Sequence, residues 1–312
     1  MCGSLGLVMY HACLVAVGPT RVNRSLTPSP QLGRLGVRAL FRWAGLGLTL
    51  ATGVWCLTPV LAGARSQPDR VFDQILDQYV RDGFVYYAAL RTERRAFDRH
   101  VKSLAERPAG FDAWSEARRL AYWLNGYNAL VLRTVIDHYP IRGTSAEFPE
   151  DSVMQIPGVF SGREHRIAGR RLTLQAIEDE RVVALGDPRA HLALGRGAVG
   201  GPRLRSEAFR EDRLETQLQA VVADFATTPH HVMLDRAGDE VVVSAVVGWR
   251  AEQFAALAGA DRTGRSPIER ALVALISPAL FPSERAFLER NTFRLRYRDF
   301  DWRLNDLTGG RP

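Results

Sequence analysis

Cysteine is scarce in this sequence: only Cys2, Cys13 and Cys56 occur among its 312 residues. Residues 65–312 therefore contain no thiol that could form a disulfide, act as a nucleophile or bind a metal ion. The seven histidines show no His-x-x-x-His or His-Glu-x-x-His spacing, so we predict no metal site. No motif requires a cofactor, and we predict none. The stability of residues 65–312 must come from the burial of apolar side chains.

Acidic residues are absent from the first 64 residues, which contain five arginines. The formal net charge of the whole chain is +7, but residues 65–312 carry 36 basic and 34 acidic residues. The excess of positive charge is thus concentrated at the beginning of the chain and does not spread over a large basic surface. A protein that binds the phosphate backbone of nucleic acid is not indicated, and we predict no nucleic-acid partner.

Residues 1–64 have the pattern of a leader. Arg34, Arg38 and Arg42 precede the apolar segment 43–62, which has no charged residue and is followed by small residues suited to cleavage. This order is typical of a signal peptide, and we expect an exported protein, periplasmic or secreted. Twenty apolar residues can also span a bilayer, so membrane anchoring by residues 43–62 is the alternative. Without cleavage, the leader would be the only membrane contact.

Residues 65–312 show no internal repeat, no low-complexity tract and no Gly/Ser linker, which predicts one domain. Apolar residues at helical spacing predict helices in its N-terminal half and at the start of the C-terminal half. These helices are expected at Val71–Tyr79, Tyr87–Leu104, Asp112–His138 (with Asp112 as N-cap), Thr173–Val183 and Arg213–Phe225.

Strand signals are concentrated later in the sequence. Alternating patterns predict a hairpin over Arg163–Leu174 and a second one joining His231–Leu234 to Glu240–Val247. A strand is also expected over Asp187–Leu194 and over Thr292–Leu304, with two or three short helices before Arg290. Helices that precede short antiparallel strands and hairpins predict the α+β class and argue against a doubly wound parallel sheet.

Four blocks of sequence resemble one known family. They are Tyr122–Leu130 (YWLNGYNAL), Leu172–Glu178, Asp187–Leu194 (DPRAHLAL) and Phe300–Asn305 (FDWRLN). In this order they resemble DUF547, a family of domains of unknown function. The family carries cysteines in the loop after the third block, and this sequence has Arg196 and Gly201 there instead. The resemblance implies a fold, but no reaction.

The first group of candidate site residues lies on the predicted helix Asp112–His138. Asn125 and Asn128 fall within or beside its apolar stripe, where an unpaired amide costs about 1–3 kcal/mol. They either fasten neighbouring backbone or line a cleft, where Asn125 would polarise a carbonyl and Asn128 would bind ligand with Trp123 and Tyr127.

The second group follows in the segments around residues 178–197. His191 is either a buried core residue or a general base, and Glu178 either orients it or is a surface charge. Arg196 and Gly197 are candidates for anion binding, unless Arg196 is a solvated surface charge. Residues 195–200 match G-x-G-x-x-G, but Pro202 follows and no helix is expected there, so a dinucleotide site is not predicted.

Three functions remain open on this basis. The first is an exported domain that binds a small anionic or polymeric ligand of the cell envelope without cysteine chemistry. The second is a thiol-independent hydrolase or acyl-transfer enzyme that uses His191 with Asn125 and Glu178. The third is a structural or protein-interaction module.

Overall fold

The computed structural model describes residues 67–261 and 263–308. The predicted leader, with its apolar segment 43–62, lies outside the described residues. Within those two ranges, no helix is both long enough and apolar enough to cross a bilayer.

Four helices make up the first part of the described chain: α1 (Gln67–Tyr79), α2 (Tyr87–Thr92), α3 (Arg95–Leu104) and α4 (Glu116–His138). The single helix predicted over Tyr87–Leu104 is wrong, because Glu93 leaves helical geometry (φ −102°, ψ 24°) and separates α2 from α3. Between α1 and α2 lies a hairpin of β1 (Val80–Arg81) and β2 (Phe84–Val85). Its turn is Asp82-Gly83, and both residues have positive φ, as a tight hairpin turn requires.

Helix α4 is the central element of the core. Nearly all of its residues from Leu120 to Ile136 are buried, because other elements pack around it on several sides. Its N-cap is Ser115, whose hydroxyl accepts a hydrogen bond from the backbone of Arg118 (3.1 Å). The predicted N-cap at Asp112 is wrong, since residues 111–113 form a separate 3₁₀ turn and Trp114 is extended.

The segment after α4 contains the predicted hairpin, with β3 (Glu164–Ile167) antiparallel to β4 (Arg170–Thr173). Helix α5 (Leu174–Ala176) continues as a π-helix over Ile177–Val182 and a 3₁₀ turn over Val183–Leu185. The strand predicted over Asp187–Leu194 is wrong. Asp187 caps the backbone of Arg189, and Pro188 starts a 3₁₀ helix that continues to Ala193.

Helix α6 (Leu214–Thr227) then leads into a three-stranded sheet of β5 (Val232–Asp235), β6 (Glu240–Ser244) and β7 (Arg294–Arg298). The β5–β6 pair is the predicted hairpin, whereas β7 is parallel to β6 and makes the sheet mixed. Four short helices connect β6 to β7: α7 (Ala245–Trp249), α8 (Ala251–Ala255), α9 (Pro267–Ile276) and α10 (Pro282–Glu289). The protein therefore has the predicted α+β class.

The end of the described chain packs against segments far away in sequence. Leu304 forms a β-bridge with Ala198, and Asp306 forms one with Val85. The side chain of Asn305 accepts a hydrogen bond from the Tyr87 hydroxyl (2.7 Å) and donates to the Gly83 carbonyl (2.7 Å). This C-terminal closure, residues 301–307, joins the hairpin before α2 to the loop that follows the 3₁₀ helix.

Candidate functional site

Three side chains meet around the buried carboxylate of Glu178. Oε1 of Glu178 lies 2.9 Å from Nδ1 of His191, 2.9 Å from Nη2 of Arg196 and 3.1 Å from Nε of Arg250. Oε2 accepts a further hydrogen bond from Nη1 of Arg196 (3.1 Å). Glu178 itself is only 2% exposed. We call these four residues the Glu178 cluster.

Each member of the cluster comes from a different local structure. Glu178 lies on the π-helix, a wide helical turn that is often found at functional sites. The 3₁₀ helix that replaces the predicted strand carries His191, and the following loop carries Arg196. Arg250 lies between α7 and α8, 72 residues after Glu178. The predicted neighbours Glu178, His191 and Arg196 are brought together, and the interpretations of Glu178 and Arg196 as surface charges are wrong.

Glu178 is held in its charged form. Burial alone would raise the pKa of its carboxyl, but three groups act against burial. The charge of Arg196, the hydrogen bonds from His191 and Arg196, and the charge of Arg250 hold that pKa well below its usual range. A carboxylate that stays ionised at neutral pH can orient a histidine or fix an arginine, but it cannot itself donate a proton.

The hydrogen bond between His191 and Glu178 defines the tautomer of the imidazole. Because the carboxylate is ionised and only accepts hydrogen bonds, Nδ1 of His191 carries the hydrogen. In the neutral ring, Nε2 then has a free electron pair. The ring is 1% exposed and lies 6.2 Å from the Phe254 ring, centroid to centroid. The dyad thus has the geometry of an oriented base at a site that is closed to solvent.

The two asparagines do not belong to the cluster, because backbone groups use both ends of each amide. Nδ2 of Asn125 donates to the Phe209 carbonyl (2.9 Å), and Oδ1 accepts from the Phe209 amide (2.8 Å). Asn128 donates to the Ala193 carbonyl (3.0 Å) and accepts from the Gly195 amide (2.8 Å). Both side chains fasten neighbouring backbone, and Asn128 fixes the loop directly before Arg196.

The other three candidates lie at different distances from the cluster. The Tyr127 hydroxyl is 3.4 Å from Nη1 of Arg196, and the side chain is fully buried. Trp123 is buried among aromatic rings at the start of α4, with the Tyr122 ring centroid 5.3 Å away. Gly197 has φ +66°, and a Cβ atom there would lie 3.3 Å from Val135 of α4. Its role is to let the loop turn close to that helix.

An aromatic surface covers the cluster on one side. The Trp249 ring lies 5.5 Å from the Arg196 guanidinium carbon, 4.9 Å from Phe300 and 6.0 Å from Trp302. The Phe300 and Trp302 rings are 4.2 Å apart. Trp249 is 42% exposed, and the other two residues are half-buried. We call Trp249, Phe300 and Trp302 the aromatic face.

Sequence reasoning missed Arg250 and Trp249. No motif surrounds them, and their distance along the chain from Glu178 hides the contact. Phe300 and Trp302 belong to the fourth family block, which gives them no role.

Other sequence signals lead to no further site. Across residues 67–261 and 263–308, no group of three or more His, Cys, Asp or Glu residues is arranged to hold a metal ion. His231 is buried and stacks on Phe225 with ring centroids 5.3 Å apart. The glycine-rich loop 195–200 does not open a helix, since Ala198 pairs with Leu304 and the next helical turn starts at Glu211.

Comparison with known proteins gives one family. Residues 111–226 match the family model described as "Protein of unknown function, DUF547". The resemblance drawn from the sequence is thereby confirmed over this range, which contains Glu178, His191 and Arg196 but neither Arg250 nor the aromatic face. Comparisons with curated proteins and with solved structures each gave no match.

Proposed function

Taking residues 111–226 as a DUF547 domain of unknown function, we propose that the protein is exported and binds an acidic glycan of the cell envelope on its aromatic face. One observation carries the proposal: the guanidinium of Arg196 is fixed between buried Glu178 and the half-exposed ring of Trp249. The Glu178 cluster then serves as the rigid base of a binding surface. The ligand is held without covalent chemistry.

The aromatic face supports a ligand that has rings. Tryptophan and phenylalanine present large, flat and rigid apolar surfaces, and exposed aromatic side chains are enriched at binding sites. The apolar face of a sugar ring packs on such a surface while its hydroxyl groups stay in water. Three contacting rings extend over more than one sugar unit, which favours a polymer over a monosaccharide.

Arg250 supports a negative charge on that ligand. It follows Trp249 directly, and its Nη1 pairs with Oδ1 of Asp179 (2.6 Å). The pairing oxygen of Asp179 is buried, but the side chain as a whole is 37% exposed and can turn towards water. A carboxylate on the ligand can then take its place and bind the guanidinium with two hydrogen bonds.

A second candidate function rests on the 2.9 Å hydrogen bond between His191 and Glu178. A histidine oriented by a carboxylate is the usual arrangement of a general base, which favours a thiol-independent hydrolase or acyl-transfer enzyme. In the described chain, however, Nε2 of His191 has no hydrogen bond to a serine or threonine hydroxyl, and Asn125 is held by Phe209. For these reasons binding is the preferred proposal.

Calorimetric titration with oligogalacturonate, neutral cello-oligosaccharide and inorganic phosphate tests the binding proposal. We expect oligogalacturonate to bind and Trp249→Ala to weaken binding at least tenfold. The control is Phe281→Ala, because Phe281 is 73% exposed and its ring contacts none of the aromatic face. If the neutral oligosaccharide binds as tightly as oligogalacturonate, the role of the ligand's negative charge is refuted. If none of the three ligands binds, the binding proposal is refuted. If the wild-type protein cleaves the glycan and the His191→Ala variant does not, the protein is an enzyme instead.

The export proposal has its own test. The intact mass of protein from the envelope fraction should correspond to a chain that begins near Gly63 or Arg65, after the predicted cleavage positions. A full-length chain in the membrane fraction would support anchoring by residues 43–62. Recovery of the full-length chain from the cytoplasm alone would contradict export.

A further inference from the structure

A second concave surface lies away from the Glu178 cluster. It is a cleft of about 360 Å³ between α1 and the segment 205–213 that leads into α6. The volume is within the range of sites that bind small molecules. Neither the family match nor the proposed function assigns it a role.

The two walls of this cleft carry opposite charges. Asp73 and Asp77 lie one helical turn apart on α1 and form the acidic wall, and Arg210 and Arg213 lie on the opposite wall. The walls are fixed relative to each other, because Oδ1 of Asp73 accepts a hydrogen bond from the Ala208 amide (2.9 Å). The cleft is therefore a preformed space and does not depend on a loop that has to close.

The opposite charges do not neutralise each other across the cleft. Within the described ranges, neither Asp73 nor Asp77 forms an ion pair within 4 Å. The arginines instead pair on their own wall: Arg210 with Asp212 (2.7 Å) and Arg213 with Glu207 (3.2 Å). The carboxylates of Asp73 and Asp77 are thus held apart from the guanidinium groups of Arg210 and Arg213, with open space between them.

We propose that this cleft binds a small zwitterion that carries an ammonium group and a carboxylate, such as a free amino acid or a dipeptide. The ammonium group lies against Asp73 and Asp77, which have no cationic partner among the described residues. The carboxylate binds Arg213. Its ion-pair partner, Glu207, is also held by Arg205 at 2.7 Å and therefore stays paired when Arg213 turns to the ligand. A ligand with a single charge gains only one of the two contacts.

Calorimetric titration of the purified full chain with L-alanyl-L-alanine tests this inference. The same titration uses two capped forms, N-acetyl-alanyl-alanine, which lacks the ammonium group, and alanyl-alanine amide, which lacks the carboxylate. We expect the free dipeptide to bind in the millimolar range or tighter and each capped form at least tenfold more weakly. No binding of the free dipeptide, or equal binding of the capped forms, would overturn the inference.

Two variants locate the binding in the cleft. Asp77→Asn should weaken binding of the free dipeptide and leave the weak binding of the N-acetylated form unchanged, since that form has no ammonium group to lose. Arg213→Gln should likewise weaken binding of the free dipeptide. It should leave the weak binding of the amide form unchanged, since that form has no carboxylate. Glu289→Gln is the control, because Glu289 is an exposed acid on α10 outside the cleft. If the control weakens binding as much as the cleft variants do, the dipeptide binds elsewhere. Because this test does not use the aromatic face, its outcome is independent of glycan binding.

Discussion

Asn128→Ala tests how strongly the amide on α4 holds the loop before Arg196. In the native protein, this side chain pairs with the Ala193 carbonyl and the Gly195 amide at 3.0 and 2.8 Å. All three residues are buried, so water cannot replace the lost partner. The substitution leaves one backbone acceptor and one backbone donor without a hydrogen bond.

The expected loss of stability follows from these two groups. A buried polar group left without its partner costs about 1–3 kcal/mol, so the pair amounts to about 2–6 kcal/mol in the free energy of unfolding. That is a large part of the total stability of a domain of this size, about 5–15 kcal/mol. Asn125→Ala should have a similar effect, since it leaves both backbone groups of Phe209 unpaired.

Urea denaturation followed by circular dichroism measures this loss. The midpoint should fall while the slope of the transition stays the same, because the surface exposed on unfolding does not change. Lys102→Ala on the exposed side of α3 is the control and should stay within about 0.5 kcal/mol. Arg118 is unsuitable as a control because its guanidinium lies 4.0 Å over the Trp114 ring. If Asn128→Ala and Lys102→Ala unfold at the same urea concentration, the reasoning from stranded backbone groups is refuted.

Three further predictions concern other parts of the protein. Glu178→Gln should destabilise by about 3–5 kcal/mol in urea denaturation, because it leaves buried arginine charge uncompensated; a loss below 1 kcal/mol would contradict this. Burial is the main cause, and nearby positive charge the second, that lowers the pKa of His165 and of His231 from 6.5 to about 4. Between pH 4 and 6.5 the unfolded chain therefore binds more protons than the folded protein does. Thermal midpoints should therefore be highest above pH 6.5 and fall as the pH approaches 4. A midpoint that does not change between pH 6.5 and 4 would disprove the lowered pKa values of the two histidines. Gly200→Ala should cost about 1–3 kcal/mol, since its Cβ would lie 2.5 Å from the backbone nitrogen of Asp301. Gly259→Ala should be neutral in the same denaturation assay, because no atom of the described residues comes within 4 Å of the added Cβ.

The sequence predicts those elements whose signal is local. Alternation around Gly169 located the β3–β4 hairpin, and helical spacing located α4 and α6 close to their observed limits. The N-cap of α4 was misplaced because Asp112 and Ser115 are both good capping residues. Trp114 lies between them with an extended backbone and packs on Phe111 and Tyr122, so the helix begins after it. The strand predicted over Asp187–Leu194 was wrong because a short apolar run does not by itself distinguish a strand from a buried helical turn.

Less of the site than of the fold can be predicted from the sequence. The contact between Glu178 and His191 was one of two alternatives, and only the structure places the carboxylate inside the protein. Arg250 lies 72 residues from Glu178, and no spacing rule connects residues at that separation. The roles of these side chains in binding or catalysis stay predictions.

The C-terminal closure has a consequence for the order in which the chain folds during synthesis. Backbone hydrogen bonds join Val85 to Asn305 and Leu307, and Gly200 to Asp301, so partners far apart along the chain must meet. Contacts at such separation form late, because the entropy of a long loop is lost before the contact can compensate for it. While the ribosome still holds residues 301–307, the hairpin before α2 and the loop that carries Arg196 each lack these contacts. The domain therefore completes these contacts only after residues 301–307 have left the ribosome.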